Sequence, residues 1–113
     1  MTPLTRRAFS GNPPRVVKNL SNERNATIEV AKSTHTRYID LNRASTDYVN
    51  AIGQNASWVY NLNPTDYTHL NRWGSVVFGR LVSDLMVEKY EDIAEWTKPN
   101  ATLSHLLEDG LPA

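Results

Sequence analysis

The stretch "NRWGSVVFGRLVSDLMVEKY" (residues 71–90) has the clearest periodicity in the chain. Two adjacent rows of apolar residues recur every four positions, which predicts a helix with a broad apolar face over residues 72–90. The rows are Val77, Leu81 and Leu85, and Phe78, Val82 and Met86. Asn71 is suited to cap its start. Because glycine lowers helix propensity, Gly74 and Gly79 predict that a neighbouring element approaches closely.

Two segments upstream favour β-structure. "MTPLTRRAF" (residues 1–9) is compatible with a short strand, which the turn-rich "SGNPP" (residues 10–14) ends. "RYIDL" (residues 37–41) is a compact aromatic and β-branched run and is the best strand candidate.

Two further helices are expected between these segments and the long helix. The first covers residues 22–32, with Ser21 as its N-cap. The second begins at Ser45 and ends at Gly53, where a left-handed residue is favoured. Residues 54–65 are expected to be a loop. Alternation of strands and helices predicts a parallel sheet covered by helices, although two strands make only an incomplete sheet.

Composition limits the classes of function. The 113 residues fit one domain, and 40% hydrophobic with 21% charged residues is ordinary for a globular protein. Lys+Arg and Asp+Glu number 12 each, so charge gives no case for nucleic acid or an anionic membrane as partner. The chain has no cysteine, which excludes disulfides and thiolate zinc sites. The first residues lack the apolar segment of a signal peptide.

Glycosylation sequons are more frequent than expected. Asn19, Asn25, Asn55 and Asn100 each begin an Asn-x-Ser/Thr triplet. A chain this rich in asparagine gives roughly one or two such triplets by chance. Coincidence and a history in the secretory pathway both remain open.

The segment "DYTHLNRWG" (residues 66–74) places an aspartate three residues before a histidine. A carboxylate that holds the imidazole in one tautomer and stabilises the imidazolium makes a histidine an effective general base. The alternative is structural: Asp66 caps a turn and His69 lies on the surface. Spacing alone favours the structural interpretation, because so short a motif often occurs by chance.

The surrounding segments resemble a known family. "DYTHLNRWGSVVFGRLVSDLM" resembles the last conserved block of the GDSL, or SGNH, hydrolases. "MTPLTRRAF", "ATIEVAKSTHTRYIDLNRAS" and "YVNAIG" are similar, in order and spacing, to the second half of rhamnogalacturonan acetylesterase-like members. The resemblance covers residues 1–90 and leaves residues 91–113 as a C-terminal extension or tail. It implies the C-terminal portion of a flavodoxin-like, three-layer α/β/α fold with parallel strands and an incomplete sheet.

The resemblance also implies a function. His69 is similar to the family's general base and Asp66 to its orienting partner in a serine carboxylic-ester hydrolase. The full-length enzymes are extracellular, act on acetylated polysaccharide and use no cofactor or metal. The family's Gly-Asp-Ser nucleophile and its oxyanion-hole blocks have no counterpart here, since Ser10 in "FSGN" does not follow Gly-Asp. The chain is therefore expected to be inactive alone; alternatives are a catalytically dead carbohydrate-binding or interaction domain, and a remnant without function.

Other residues have less specific interpretations. His35 and His105 are expected on the surface, and no third residue joins Asp66 and His69 at metal-ligand spacing. Four aromatic residues flank the motif and are suited to stacking on sugar rings or to packing beneath the loop. They are Trp58, Tyr60, Tyr67 and Trp73. Arg6 and Arg7 are expected to be solvated, and the resemblance implies that a basic residue there can meet an acidic pectin backbone.

Overall fold

Four α-helices and a 3-10 helix account for most of the chain in the computed structural model, which describes residues 1–113. Their order is α1 (Ser21–Ser33), α2 (Leu41–Trp58), α3 (Arg72–Lys89), the 3-10 helix (Glu91–Trp96) and α4 (Ala101–Glu108). Two short strands, β1 (Phe9–Ser10) and β2 (Arg15–Val16), precede them and pair antiparallel, with Phe9 opposite Val16.

The predicted fold class is wrong. The chain is 56% helix and 5% strand, and its only sheet is the antiparallel β1–β2 pair, so there is no three-layer arrangement of parallel strands. The two segments expected to pair share one backbone hydrogen bond, from the N–H of Thr2 to the carbonyl of Ile39. The N–H of Thr5 instead binds the hydroxyl of Ser45, and that of Arg7 binds the carbonyl of Tyr67. Backbone N–H groups that would pair two strands in a sheet therefore donate to a helix side chain and a loop carbonyl instead.

Helix α3 agrees closely with its prediction. The side chain of Asn71 accepts a hydrogen bond from the N–H of Gly74 at 2.8 Å, which caps the first turn. A Cβ added at Gly74 would lie 2.7 Å from the carbonyl oxygen of Tyr60, so the predicted close approach is confirmed there. The same prediction for Gly79 is wrong, because a Cβ at that position meets nothing within 4 Å.

The first two helices extend beyond their predicted limits. Ser21 does not cap α1, since its hydroxyl donates to the carbonyl of Lys18. The cap of α2 is Asp40, which places Ser45 inside the helix. Gly53 adopts a positive φ of 81°, as predicted, and its non-helical backbone divides α2 into two helical segments that meet at a kink. Residues 54–58 are therefore helical, where a loop was expected.

The core lies where α2, α3 and α4 meet. Its aromatic members pack edge-on: Phe78 lies 6.1 Å from Tyr48 and 5.6 Å from Tyr60 between ring centroids. The rest of the buried cluster is aliphatic and consists of Val16, Leu41, Val49, Val77, Leu81, Leu103 and Leu107. Because Leu103 and Leu107 belong to this cluster, α4 packs on the same core as the rest of the chain. No helix is both long enough and apolar enough to cross a membrane.

Candidate active site

Asp66 and His69 lie together in the loop that joins α2 to α3. One carboxylate oxygen of Asp66 accepts hydrogen bonds from the N–H groups of Thr68, at 2.9 Å, and His69, at 2.8 Å. This is the usual way in which aspartate closes a turn on the backbone that follows it. The second oxygen lies 2.8 Å from Nδ1 of His69. The structure therefore brings the two predicted residues into direct contact, and Asp66 also serves the turn.

The hydrogen bonds to Asp66 define its charge. The backbone N–H of His69, then its imidazole, then the N–H of Thr68 lower the pKa of Asp66 to about 2. The group is thus a carboxylate at any ordinary pH, and a carboxylate can only accept hydrogen bonds. Nδ1 of His69 must carry the proton between them, which leaves Nε2 as the unprotonated nitrogen of the neutral ring.

The ring of His69 faces solvent. Its side chain is 73% exposed, whereas that of Asp66 is 22% exposed. Nε2 makes no hydrogen bond within the protein, so it is free to accept a proton from an approaching group. A fixed carboxylate on Nδ1 and an accessible Nε2 are compatible with general-base chemistry.

The backbone of His69 is held from the opposite side of the loop. Its carbonyl oxygen accepts hydrogen bonds from the N–H of Leu62, at 3.0 Å, and from Nη2 of Arg7, at 2.7 Å. An antiparallel bridge between Asn61 and Leu70 closes the same loop. Both the side chain and the main chain of the histidine are therefore fixed by named partners.

Arg7 is the centre of the buried side of the loop. Its Nε donates to Oδ1 of Asn61, its backbone N–H donates to the carbonyl of Tyr67, and its own carbonyl accepts from Nε1 of Trp58. Burial lowers the pKa of Arg7, and the negative charge of Asp66 partly opposes this effect. Arginine nevertheless remains a cation at such sites.

The expectation that Arg7 is solvated is wrong, because none of its surface is exposed. The sequence carries little signal of this, since two adjacent arginines look alike. In an extended segment, however, neighbouring side chains point to opposite sides, so one of the pair had to face the interior if the segment packed at all. Arg6, the partly exposed neighbour, lies on the rim of the site.

An open depression surrounds the pair. Its lining consists of Arg6, Ala8, Asn19, Asn63, Thr65, Asp66, Tyr67, Thr68 and His69. No serine is among these residues, and Ser10 lies in β1 outside the lining. The pair therefore has no serine beside it in this lining, whose hydroxyl groups belong to Thr65, Tyr67 and Thr68.

The aromatic residues divide into two groups. Tyr67 lines the depression and stacks at a tilt on Trp58, with 5.4 Å between ring centroids. Tyr60 is buried and bonds Tyr48 through the two hydroxyls. Trp73 is half exposed and donates its Nε1–H to the carbonyl of Ala113. Only Trp58 and Tyr67 are thus shown beside the candidate site.

The other two histidines stand apart from the pair. His35 lies just beyond α1 with a φ of 53°, His105 lies in α4, and both are exposed. Neither has a carboxylate partner. No group of three His, Cys, Asp or Glu residues is placed to hold a metal ion.

Comparisons with protein-family models, curated proteins and solved structures find no significant match to this chain. The resemblance to GDSL hydrolases therefore depends on the quoted segments alone. Any function has to be argued from the geometry of Asp66 and His69.

Proposed function

We propose that Asp66 and His69 are the orienting carboxylate and the general base of a serine ester hydrolase of the GDSL type. The observation that carries the proposal is the 2.8 Å contact between Nδ1 of His69 and a carboxylate oxygen whose partner oxygen is fixed by two backbone N–H groups. This arrangement presents Nε2 as a base in a defined direction.

The chemistry assigned to the pair is acyl transfer. Nε2 of His69 takes the proton of a serine hydroxyl as the serine oxygen attacks an acetyl carbonyl. The proton then passes to the departing sugar alkoxide, and water releases acetate from the acyl-enzyme in the second half of the cycle. Asp66 stabilises the imidazolium throughout and holds its tautomer.

The nucleophilic serine is proposed to lie outside residues 1–113, because no serine lines the depression. The oxyanion-hole donors are proposed to lie there too, because the family's blocks that supply them have no counterpart in this sequence. Under this proposal the chain contributes two-thirds of a triad and is inactive alone toward its natural ester. A base without a nucleophile or oxyanion hole provides only a small part of the acceleration of such an enzyme.

Two residues of the depression favour a carbohydrate substrate. Tyr67, supported by Trp58, offers an aromatic face of the kind on which sugar rings stack. Arg6 lies at the rim and places a positive charge where an acidic pectin backbone can bind. The substrate class proposed is therefore an acetylated, acidic polysaccharide, as in rhamnogalacturonan acetylesterases.

The first test uses the protein isolated from the cells that make it and a fluorophosphonate probe, which reacts with activated serines. We expect a labelled serine in a Gly-Asp-Ser segment that is not part of residues 1–113, and loss of labelling in a His69→Ala variant. Absence of any labelled serine would remove the hydrolase proposal.

A second test isolates the base itself. The chain alone is expected to accelerate hydrolysis of an activated acetate ester weakly, as an imidazole does, with the larger share of that rate due to His69. His35→Ala and His105→Ala are matched controls, because both histidines are exposed and lack a carboxylate partner. Equal losses in all three variants would show that His69 has no special reactivity.

The missing nucleophile favours a second candidate, a carbohydrate-binding domain without turnover. In that case the protein binds acetylated pectin oligosaccharides, no serine is labelled, and His69→Ala leaves the affinity unchanged. Calorimetric titration with oligosaccharide, run beside the labelling experiment, separates the two candidates.

A further inference from the structure

The four sequon asparagines share a structural property. Asn19 precedes α1, Asn25 lies in α1, Asn55 lies in α2 and Asn100 caps α4, and all four are exposed. None of their Nδ2 atoms donates a hydrogen bond within the protein. Nδ2 is the atom to which an N-linked glycan is attached, so each position is compatible with the modification.

Two asparagines outside sequons provide the contrast. Nδ2 of Asn71 donates to the carbonyl of Val59 at 2.7 Å, and Nδ2 of Asn61 is buried. A glycan at either position would disrupt the loop that carries His69. The fold therefore leaves the side-chain nitrogen without a hydrogen bond at all four triplets, as it also does at five asparagines outside sequons: Asn12, Asn22, Asn42, Asn50 and Asn63.

We propose that the chain carries N-linked glycans on Asn19, Asn25, Asn55 and Asn100, and that the glycan on Asn55 covers the apolar surface beside it. In the reaction, Nδ2 loses a proton and forms a bond to the anomeric carbon of an oligosaccharide. The bond from that carbon to a lipid pyrophosphate breaks, and the pyrophosphate leaves with the electron pair.

Asn100 shows that the modification and the fold are compatible. Its Oδ1 accepts a hydrogen bond from the N–H of Leu103 at 3.2 Å and so caps α4. A glycan on Nδ2 leaves Oδ1 available, because the two atoms are separate acceptor and donor sites of the amide. The cap is retained in the glycosylated chain.

The surface beside Asn55 exposes three large apolar side chains. Val59 is 63% exposed, Leu62 is 56% exposed and Trp58 is 36% exposed, and the three line one groove together with Asn55. Asn55 and Trp58 are three residues apart in the helical segment that follows the kink, which places them on one face. The first sugar on Asn55 can therefore pack on the indole ring. Exposed apolar patches commonly mark contacts with another molecule. In this proposal that molecule is the glycan, which is attached to Asn55 at the edge of the patch.

The placement of Asn19 has a different consequence. It lines the same depression as Asp66 and His69, so a glycan there borders the candidate active site. Glycosylation itself does not depend on catalysis, and its test is independent of any esterase assay.

The test begins with protein isolated from the cells that make it. Treatment with peptide N-glycosidase in heavy-oxygen water, followed by peptide mass spectrometry, marks each glycosylated asparagine as a heavy aspartate. We expect marks at all four positions. Unmodified asparagine at every sequon would overturn the proposal, and unmodified Asn55 alone would overturn the covering role.

The covering role has its own experiment. The full chain, secreted from yeast in glycosylated form, is compared with Asn55→Gln and with the matched control Asn25→Gln, which lies on α1 away from the apolar groove. We expect Asn55→Gln to bind more of a hydrophobic dye such as anilinonaphthalene sulfonate and to shift its tryptophan emission to the red, while Asn25→Gln matches the unaltered chain. Equal dye binding by all three proteins would show that the glycan leaves the groove open.

Discussion

The loop between α2 and α3 has an outer and an inner side, and the two differ in what holds them. On the outer side, Asp66 and His69 form a contact that is largely exposed and local in sequence. On the inner side, Arg7 is wholly buried and bonds to Asn61 and to the carbonyl of His69, more than fifty residues away. The outer side carries the two candidate catalytic residues. The buried contacts of the inner side hold the loop in the conformation that positions them.

The difference has a physical origin. A contact three residues apart needs little besides a turn, so a local sequence pattern is enough to indicate it. A buried guanidinium is costly unless its donors are bonded. Nε and Nη2 of Arg7 are bonded and Nη1 is not, so its burial is offset only by contacts that need the native shape of the loop. The stability of the site should therefore depend on Arg7 and its reactivity on Asp66.

The largest effect is expected from Arg7→Met. The change removes the partner of the buried Asn61 Oδ1 and one of the two partners of the partly buried His69 carbonyl. Loss of two hydrogen bonds to a charged donor, partly offset by relief of its burial, should lower the free energy of unfolding by about 3 kcal/mol. Urea denaturation followed by tryptophan fluorescence measures it. Arg6→Met is the control, because Arg6 makes no side-chain hydrogen bond within the protein. An equal loss of unfolding free energy in both variants would contradict the claim that Arg7 in particular stabilises the loop.

A smaller effect is expected where α3 begins, next to the inner side. In Gly74→Ala the new methyl group would lie 2.7 Å from the carbonyl of Tyr60, so the helix or the loop must shift. Overpacking of this kind should cost about 2 kcal/mol. Gly79→Ala serves as the matched variant in the same helix: it meets open space and should gain up to about 1 kcal/mol through helix propensity. Thermal denaturation of the two variants tests the expected loss of stability at Gly74 and the expected gain at Gly79. A Gly74→Ala variant as stable as the unaltered chain would argue against the close contact with Tyr60.

Asp66→Asn should change reactivity with little effect on stability. The amide oxygen can still accept from the N–H groups of Thr68 and His69, so the turn persists. The other end of the amide donates where the carboxylate accepted, so Nδ1 of His69 has to give up its proton. We expect a small fall in the denaturation midpoint, because the hydrogen bonds to a charged acceptor are lost, and a reduced rate of activated-ester hydrolysis. A large fall in stability would mean that the outer contact also orders the loop.

The pH dependence of the outer side should be the smallest effect. The pKa of Asp66 lies at about 2, below the roughly 3.9 of an unfolded aspartate. Its contribution to stability is therefore complete above about pH 4 and is lost as the pH falls through about 2. Titration of the carboxyl carbon by NMR measures the midpoint directly. A midpoint near the ordinary value would show that the hydrogen bonds to Asp66 do not persist in solution.

The sequence predicted the outer side better than the inner one. The spacing of Asp66 and His69, the cap at Asn71 and the apolar rows of α3 are local patterns, and the structure contains each of them. The sheet was predicted wrongly because strand propensity in residues 1–9 and 37–41 says nothing about which partners take the backbone bonds. Here Ser45 and the carbonyl of Tyr67 take them. The role of Arg7 likewise depends on contacts distant in sequence, for which a single sequence has no local signal.

The most direct test of the account is the protonation of the His69 ring in solution. Long-range nitrogen–proton NMR spectra of the uniformly labelled chain distinguish the two tautomers of a neutral imidazole. The account predicts that Nδ1 carries the proton and Nε2 does not, and that Asp66→Asn reverses this. A neutral ring with its proton on Nε2 in the unaltered chain would contradict the account, because His69 would then present a donor where a general base must accept.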